Sequence, residues 1–152
     1  MTTIRGKYRS KGYGKGGLFL RMQVPEVAKT FPEILEIGYY GTVNVQLERP
    51  LLVLDSDCRV PLGSREVIDL VCVQFRVKEK PYSGWLWVAK TSPLRETPDV
   101  HEFVFREKID VQDGDECSVD LARERVVFLD GVVKGRPGIW IVRSGHLGLT
   151  PG

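Results

Sequence analysis

Apolar and polar residues alternate over short runs along most of the chain, and a period of two predicts β-strands. "YYGTVNVQL" at 39–47 is one such run. The pattern predicts strands at 3–10, 18–24, 42–48, 51–55, 67–77, 84–90, 100–106, 117–122, 125–131 and 138–145. Turn-forming sequences such as "DGD" at 113–115 and "KGRPG" at 134–138 separate them. A mainly β protein, a small closed β-barrel, is therefore the expected fold.

Residues 25–38 carry the one pattern that favours a helix. Pro25 suits a first helical turn, and Gly38 can end the helix. Val27, Phe31, Ile34 and Leu35 have the spacing of one apolar helical face. We expect Pro32 to shorten or kink this helix, since proline cannot donate the backbone hydrogen bond.

The chain has 152 residues, of which 42% are hydrophobic and 28% charged, as expected for a single globular domain spanning 1–152. No apolar run approaches the length of a membrane span, and the N-terminus lacks the apolar region of a secretory signal. Three widely spaced cysteines without a CxxC pair favour reduced thiols over disulfides or zinc ligation. The expected location is the cytoplasm.

Positive charge is concentrated at the N-terminus, where no acidic residue precedes Glu26. Such a basic block can serve nucleic acid, a phosphorylated small molecule or a solvated strand face. Glycines 12, 14, 16 and 17 lie among these charges, with Lys11 and Lys15. Their backbone N–H groups could approach an anion closely, although a flexible hairpin loop is the simpler interpretation.

Thr42 and Asn44 share one face of a predicted strand, while Val43 and Val45 share the other. A hydroxyl and an amide carbonyl are hard oxygen ligands that suit Mg²⁺ completed by water and substrate phosphates. A solvent-facing strand with polar alternation is the simpler interpretation.

Other groups carry less chemical information. Asp113 and Asp115 flank Gly114 and are interpreted as turn formers. Trp85 and Trp87 are expected to line one barrel face, with an aromatic wall for a flat ligand as the alternative. The two histidines are isolated, and no motif of a hydrolytic triad or zinc enzyme is present.

Taken in order, these segments resemble the archaeal CTP-dependent riboflavin kinases, which are small cradle-loop barrels. "GKYRSKGYGKGGLF" is similar to the glycine-rich opening of that family, with Lys11 as an insertion, and "YYGTVN" to its "Y-x-G-T-L-N". "GWLWVAKTS" and "FREKIDVQDGD" correspond more loosely to later segments. The resemblance covers about residues 4–121 as the barrel core and leaves 122–152 as a C-terminal β extension.

The resemblance implies roles for particular residues. Thr42 and Asn44 would hold Mg²⁺, and Thr91 would contact the flavin. Glu102, or alternatively Asp99, would take the place of the family's flavin-binding glutamate. The nucleotide would lie against two segments: Tyr13, Gly14, Lys15, Gly16, Gly17 and Leu18 at its phosphates, and Val104, Phe105, Arg106 and Glu107 near its base and sugar.

The implied reaction transfers the γ-phosphate of CTP, or of another NTP, to the 5′-hydroxyl of riboflavin, giving FMN and CDP. Glu102 or Asp99 would accept or orient the hydroxyl proton. Phosphoryl transfer needs mainly positioning and charge neutralisation, which a glycine loop, a metal and cations can supply. Lys15 stands where the family usually has an acidic residue. The alternative is a barrel module that binds nucleic acid or a ligand without kinase activity; nucleic acid is not the expected partner.

Overall fold

The structure, a computed structural model, describes residues 1–10, 23–37, 42–89, 100–129, 132–134 and 140–142. Eleven strands lie in these ranges: β1 Thr2–Tyr8, β2 Val43–Leu47, β3 Leu51–Val53, β4 Cys58–Leu62, β5 Glu66–Val77, β6 Lys80–Ala89, β7 Val100–Phe105, β8 Glu116–Leu121, β9 Val126–Phe128, β10 Val132–Lys134 and β11 Trp140–Val142. An α-helix covers 23–28, and 3-10 helices cover Pro32–Glu36 and Arg123–Arg125. No helix in the described part of the chain has the length and apolar character needed to cross a membrane.

Six antiparallel strands close into a barrel in the order β5–β6–β7–β2–β1–β8, with β8 pairing back onto β5. The predicted closed β-barrel is therefore confirmed. β5 makes closure possible because its two halves have different neighbours: Glu66–Leu70 pairs with β4, and Gln74–Val77 pairs with β8. β4 was not predicted, since Pro61 interrupts its pattern; proline is tolerated there because β4 is the edge strand of the sheet.

Alternate residues of all six strands fill the barrel interior. Phe75, Phe103 and Phe105 lie at its centre, with ring centroids 5.0 to 6.3 Å apart. Gly6 and Gly84 occupy the points of closest strand approach. A Cβ at Gly84 would stand 2.2 Å from the carbonyl oxygen of Val104, so only glycine allows β6 and β7 to meet as they do.

A second core lies outside the barrel, where residues 23–37 cover β4 to β7. Val27 and Ile34 pack there against Trp85 and Trp87, which share the outer face of β6 as predicted. Phe31 meets Trp85 edge to face, with ring centroids 6.0 Å apart. The aromatic pair is thus covered by the chain's own helices.

Two predictions for this segment were wrong. Residues 23 and 24 are helical, although the pattern placed them at the end of a strand. Leu35 is 60% exposed, although its spacing placed it on the apolar face. The exposure of Leu35 follows from the break at Pro32, which was expected: the helix ends at 28 and a tighter 3-10 helix follows, so the two parts do not share a helical period. The earlier start of the helix accompanies the packing of Val24, which is fully buried in the second core.

The first residues of the C-terminal extension pack onto the barrel. β9 pairs with β3 as a separate two-stranded sheet, and β10 pairs with β11. Leu51 and Val126 of the first pair belong to the interior core. Arg125 bridges this sheet to the segment before β4 through Asp55 Oδ2 at 2.6 Å and Asp57 Oδ1 at 2.9 Å.

Candidate functional site

The candidate site is a row of outward-facing residues that crosses three neighbouring strands. Asn44 of β2 stands opposite Glu102 of β7, and Glu102 stands opposite Trp87 of β6. Directly opposed residues have Cα atoms about 4.5–5.5 Å apart. Two polar groups that the sequence separates by 57 positions are therefore neighbours at the edge of the second core.

Asn44 is the most unusual residue of the row. It is 7% exposed and is the buried polar residue of the described core, and its Oδ1 has no hydrogen-bond partner among the described residues. Its backbone is well anchored, because its carbonyl accepts a hydrogen bond of 2.9 Å from the N–H of Arg9. A buried carbonyl oxygen without a donor costs about 1–3 kcal/mol, so the position favours an electropositive ligand.

Glu102 lies half-buried beside Asn44. Burial raises the pKa of the Glu102 carboxyl from 4.5 to about 7, because removal from water disfavours the charged form. A carboxyl with this pKa can both hold and release a proton near neutrality, which is the property of a general acid or base.

Thr42 immediately precedes β2 and is half-buried. Extended backbone at this point would give its hydroxyl the same face as Asn44. The described residues contain no cluster of three or more His, Cys, Asp or Glu side chains that could hold a metal. A cation at Asn44 would therefore have few protein ligands and would need water or phosphate oxygens, an arrangement that suits Mg²⁺. The orphaned Oδ1 fits this role.

The four residues expected near the base and sugar of a nucleotide have different environments. Val104 is buried in the second core, and the side chain of Phe105 points into the barrel interior. Arg106 and Glu107 are exposed. Arg106 donates a 2.7 Å hydrogen bond to Glu36 Oε2, and its guanidinium lies 4.8 Å from the Trp85 ring centroid. Of the four, Arg106 and Glu107 offer polar side chains to a ligand.

Other predicted site residues lie outside the described residues. These are Tyr13, Gly14, Lys15, Gly16, Gly17, Leu18, Thr91 and Asp99. The base of the glycine-rich segment is described, however. Asp113 Oδ1 accepts a 2.8 Å hydrogen bond from the N–H of Ser10, and the Gly114 N–H donates to the carbonyl of Tyr8 at 2.8 Å. With Gly114 at φ +87°, the predicted "DGD" turn is confirmed, and it is tied to the residues at which the glycine segment begins.

Arg9 is a polar neighbour of the site that no motif singled out. Its Nε donates a 2.9 Å hydrogen bond to Gln46 Oε1, on the same face as Asn44. The signal in the sequence was the alternation of Arg5, Lys7 and Arg9 along one strand face. That signal does not indicate which neighbouring strand the cations meet.

The three cysteines are free and are poorly suited to nucleophilic catalysis. Burial raises the pKa of the Cys117 thiol to about 12, and it also raises the pKa values of Cys58 and Cys72 above their ordinary range. The thiolate is the reactive form, so these shifts suppress reactivity at neutral pH.

Comparisons with known proteins leave the geometry as the main source of functional information. The sequence matches no protein-family model, and no curated protein matches it significantly.

Proposed function

We propose that the protein is a Mg²⁺-dependent phosphotransferase that transfers the γ-phosphate of CTP, or of another NTP, to the 5′-hydroxyl of riboflavin to give FMN. The observation that carries the proposal is the buried Oδ1 of Asn44, which has no partner among the described residues and stands beside Glu102. An amide oxygen in that state favours a bound cation, and Mg²⁺ in proteins commonly joins a few protein oxygens to substrate phosphates.

Each residue has a defined part in this proposal. Asn44, together with Thr42, would hold Mg²⁺, which would supply charge neutralisation for the transferred phosphoryl group. Glu102 accepts or orients the proton of the riboflavin hydroxyl, since it is the carboxylate next to Asn44. Arg106, which follows β7 and pairs with Glu36, would contact the nucleotide in place of that partner. The glycine-rich segment, tied at Ser10 to Asp113, would supply backbone N–H groups to the phosphates.

The direct test is to incubate the purified protein with riboflavin, Mg²⁺ and each of the four NTPs and to measure FMN by chromatography. We expect FMN with at least one NTP and none when EDTA is present. If no triphosphate yields FMN, the proposal is wrong and the alternative, a binding module without kinase activity, is favoured.

The residue-level test is Asn44→Ala, which removes the amide oxygen. Loss of a metal ligand should lower kcat/KM by about 100-fold or more, in line with the effect of losing one stabilising group at a transition state. Gln46→Ala is the matched control, because Gln46 carries the same functional group on the same strand face two residues away. Equal activity of the two variants would contradict the role of Asn44, provided that both unfold at the same temperature as the parent protein.

A further inference from the structure

A groove runs along the barrel wall formed by β1, β8 and β5. Its volume is about 780 Å³, and its lining includes Arg5, Lys7 and Arg9 from β1 and its end together with Arg76 and Lys78 from the end of β5. Of the described residues assigned above to riboflavin phosphorylation, none lines it. The groove shares Arg9 and Gln46 with the surroundings of the candidate site, but the proposed function gives no role to its other four cations.

Strand register brings these cations together across about 70 residues of sequence. Arg5 of β1 is opposite Ser118 of β8, and Ser118 is opposite Arg76 of β5. Two strand spacings separate the arginines, so their Cα atoms lie about 10 Å apart. Lys7 and Arg9 follow Arg5 at alternate positions, which extends the row of cations along β1 by about 13 Å.

Three of these cations lack acidic partners in the part of the chain that the structure describes. Among the described residues, the side chains of Arg5 and Lys7 make no hydrogen bond or ion pair, and Arg76 contacts only the backbone carbonyl of Glu79, at 3.4 Å. All three are exposed. The groove is lined by five cations and three carboxylates, and none of the three carboxylates pairs with Arg5, Lys7 or Arg76. Lys78, by contrast, pairs with Asp115 Oδ2 at 3.5 Å and with Asp110 Oδ2 at 3.9 Å. Arg5, Lys7 and Arg76 are thus the cations available to a ligand.

The turn at the end of the groove supports a binding role. Lys78 and Glu79 form the two-residue connection between β5 and β6, with φ +50° and +62°. Both central positions of such a turn normally hold glycine or asparagine, because other residues are strained there. Strain of this kind is found at ligand-binding positions. The strained turn therefore marks this end of the groove as a candidate binding position.

The volume of the groove and the chemistry of its lining indicate which class of ligand it could bind. Its volume lies within the range of small-molecule sites, which is roughly 300–1,000 Å³. No aromatic side chain among the described residues lines it, whereas surfaces that bind single-stranded nucleic acid usually stack bases on aromatic rings. Guanidinium groups recognise phosphate oxygens through paired hydrogen bonds. We propose that the groove binds a compact ligand that carries several phosphate groups, such as a polyphosphate or a phosphorylated nucleoside.

The test measures the binding of inorganic tripolyphosphate by calorimetry at low salt, without Mg²⁺ and riboflavin. The variant Arg5→Gln/Arg76→Gln should weaken binding by about tenfold or more, because charge-assisted hydrogen bonds are lost. Arg65→Gln is the control for the loss of one exposed arginine, to be compared with Arg5→Gln and Arg76→Gln singly, since Arg65 lies beyond the opposite end of β5, about 35 Å from Arg76 along the strand. This control should bind like the parent protein.

Further measurements distinguish this proposal from the proposed kinase activity and from nucleic-acid binding. Asn44→Ala should retain tripolyphosphate binding, and Arg5→Gln/Arg76→Gln should retain FMN formation at saturating NTP, so the two proposals can fail independently. Unchanged affinity in the double variant, or no binding by the parent protein, would overturn the groove assignment. Tighter binding of a single-stranded oligonucleotide, with a steep loss of affinity on adding salt, would replace it with a nucleic-acid surface.

Discussion

Asn44 carries a buried amide oxygen that no described donor satisfies, a state that proteins seldom tolerate. Its neighbour Glu102 is a half-buried carboxyl with a raised pKa. The two residues impose costs of different kinds, one from a missing hydrogen bond and the other from the desolvation of a charge. At the scale of single residues, both members of the site therefore lower the free energy of unfolding.

The cost at Glu102 predicts how stability depends on pH. Because the pKa is about 7 in the folded protein and 4.5 as the ordinary value, the unfolded state loses its proton first as pH rises. The contribution of Glu102 to stability is therefore most favourable below pH 4.5, and it falls by up to about 3 kcal/mol as pH rises through 7.

Glu102→Gln should remove this contribution, because glutamine has the same size and does not titrate. Urea unfolding of both proteins from pH 4.5 to 8, with EDTA present, measures the difference directly. The variant should gain stability relative to the parent protein as pH rises through this window. Glu116→Gln, at an exposed position on β8, is the control. Its difference in free energy of unfolding from the parent protein should not change with pH. Parallel curves for Glu102→Gln would show that the carboxyl titrates normally.

At the scale of elements, two features determine the form of the barrel: close contacts between strands, and one strand that pairs with two neighbours. β5 is twelve residues long and serves two neighbours in turn, β4 at its start and β8 at its end. β6 and β7 approach closely only because position 84 has no side chain. The outer faces of β5 and β6 are apolar where residues 23–37 cover them, which fixes where the helices pack.

Gly84→Ala should destabilise the barrel by about 1–3 kcal/mol or more, because the new methyl group would meet the Val104 carbonyl oxygen and the Phe105 ring. Neither is the free end of a flexible side chain, so the strands must separate. Gly63→Ala provides the comparison: Gly63 has φ +68° and open space around its Cα, so the cost there is backbone strain of about 1 kcal/mol. Chemical denaturation of the two variants measures which of them loses more stability. A smaller loss of stability for Gly84→Ala than for Gly63→Ala would mean that the strands adjust freely.

At the scale of the whole molecule, the barrel depends on residues beyond its last strand. Val126 of β9 is fully buried in the interior core, whereas its neighbour Val127 points outward and is 36% exposed. Arg125 adds ion pairs of 2.6 and 2.9 Å to Asp55 and Asp57. The start of the C-terminal extension therefore belongs to the folded unit.

Val126→Ala should lower the free energy of unfolding by about 2 kcal/mol, since two buried methyl groups are lost and a cavity remains. Val127→Ala makes the same chemical change one residue away and should cost less than about 0.5 kcal/mol. Thermal unfolding compares the two. Equal losses would contradict the packing of β9 against the barrel core.

Much of the fold could be predicted because strand alternation is local. The strands that became β1, β2, β5, β6, β7 and β8 were all found from period-two patterns. Leu35 could not be placed correctly, because a proline divides its segment into two helical parts with different periods. Residues 23–24 could not, because Val24 packs into the second core, a tertiary contact that the local pattern does not show. β4 was missed because its pairing with β5, rather than its own sequence, makes it a strand.

For the candidate site, the sequence by itself determined the residue types: an amide and a hydroxyl on one strand face, carboxylates on another segment, and a row of alternating cations near the N-terminus. Only the tertiary structure decided which of these meet. Register places Asn44 beside Glu102 and Arg5 in line with Arg76. The physical reason is that alternation depends on adjacent residues, whereas strand pairing and burial depend on barrel closure, which joins positions far apart in the chain.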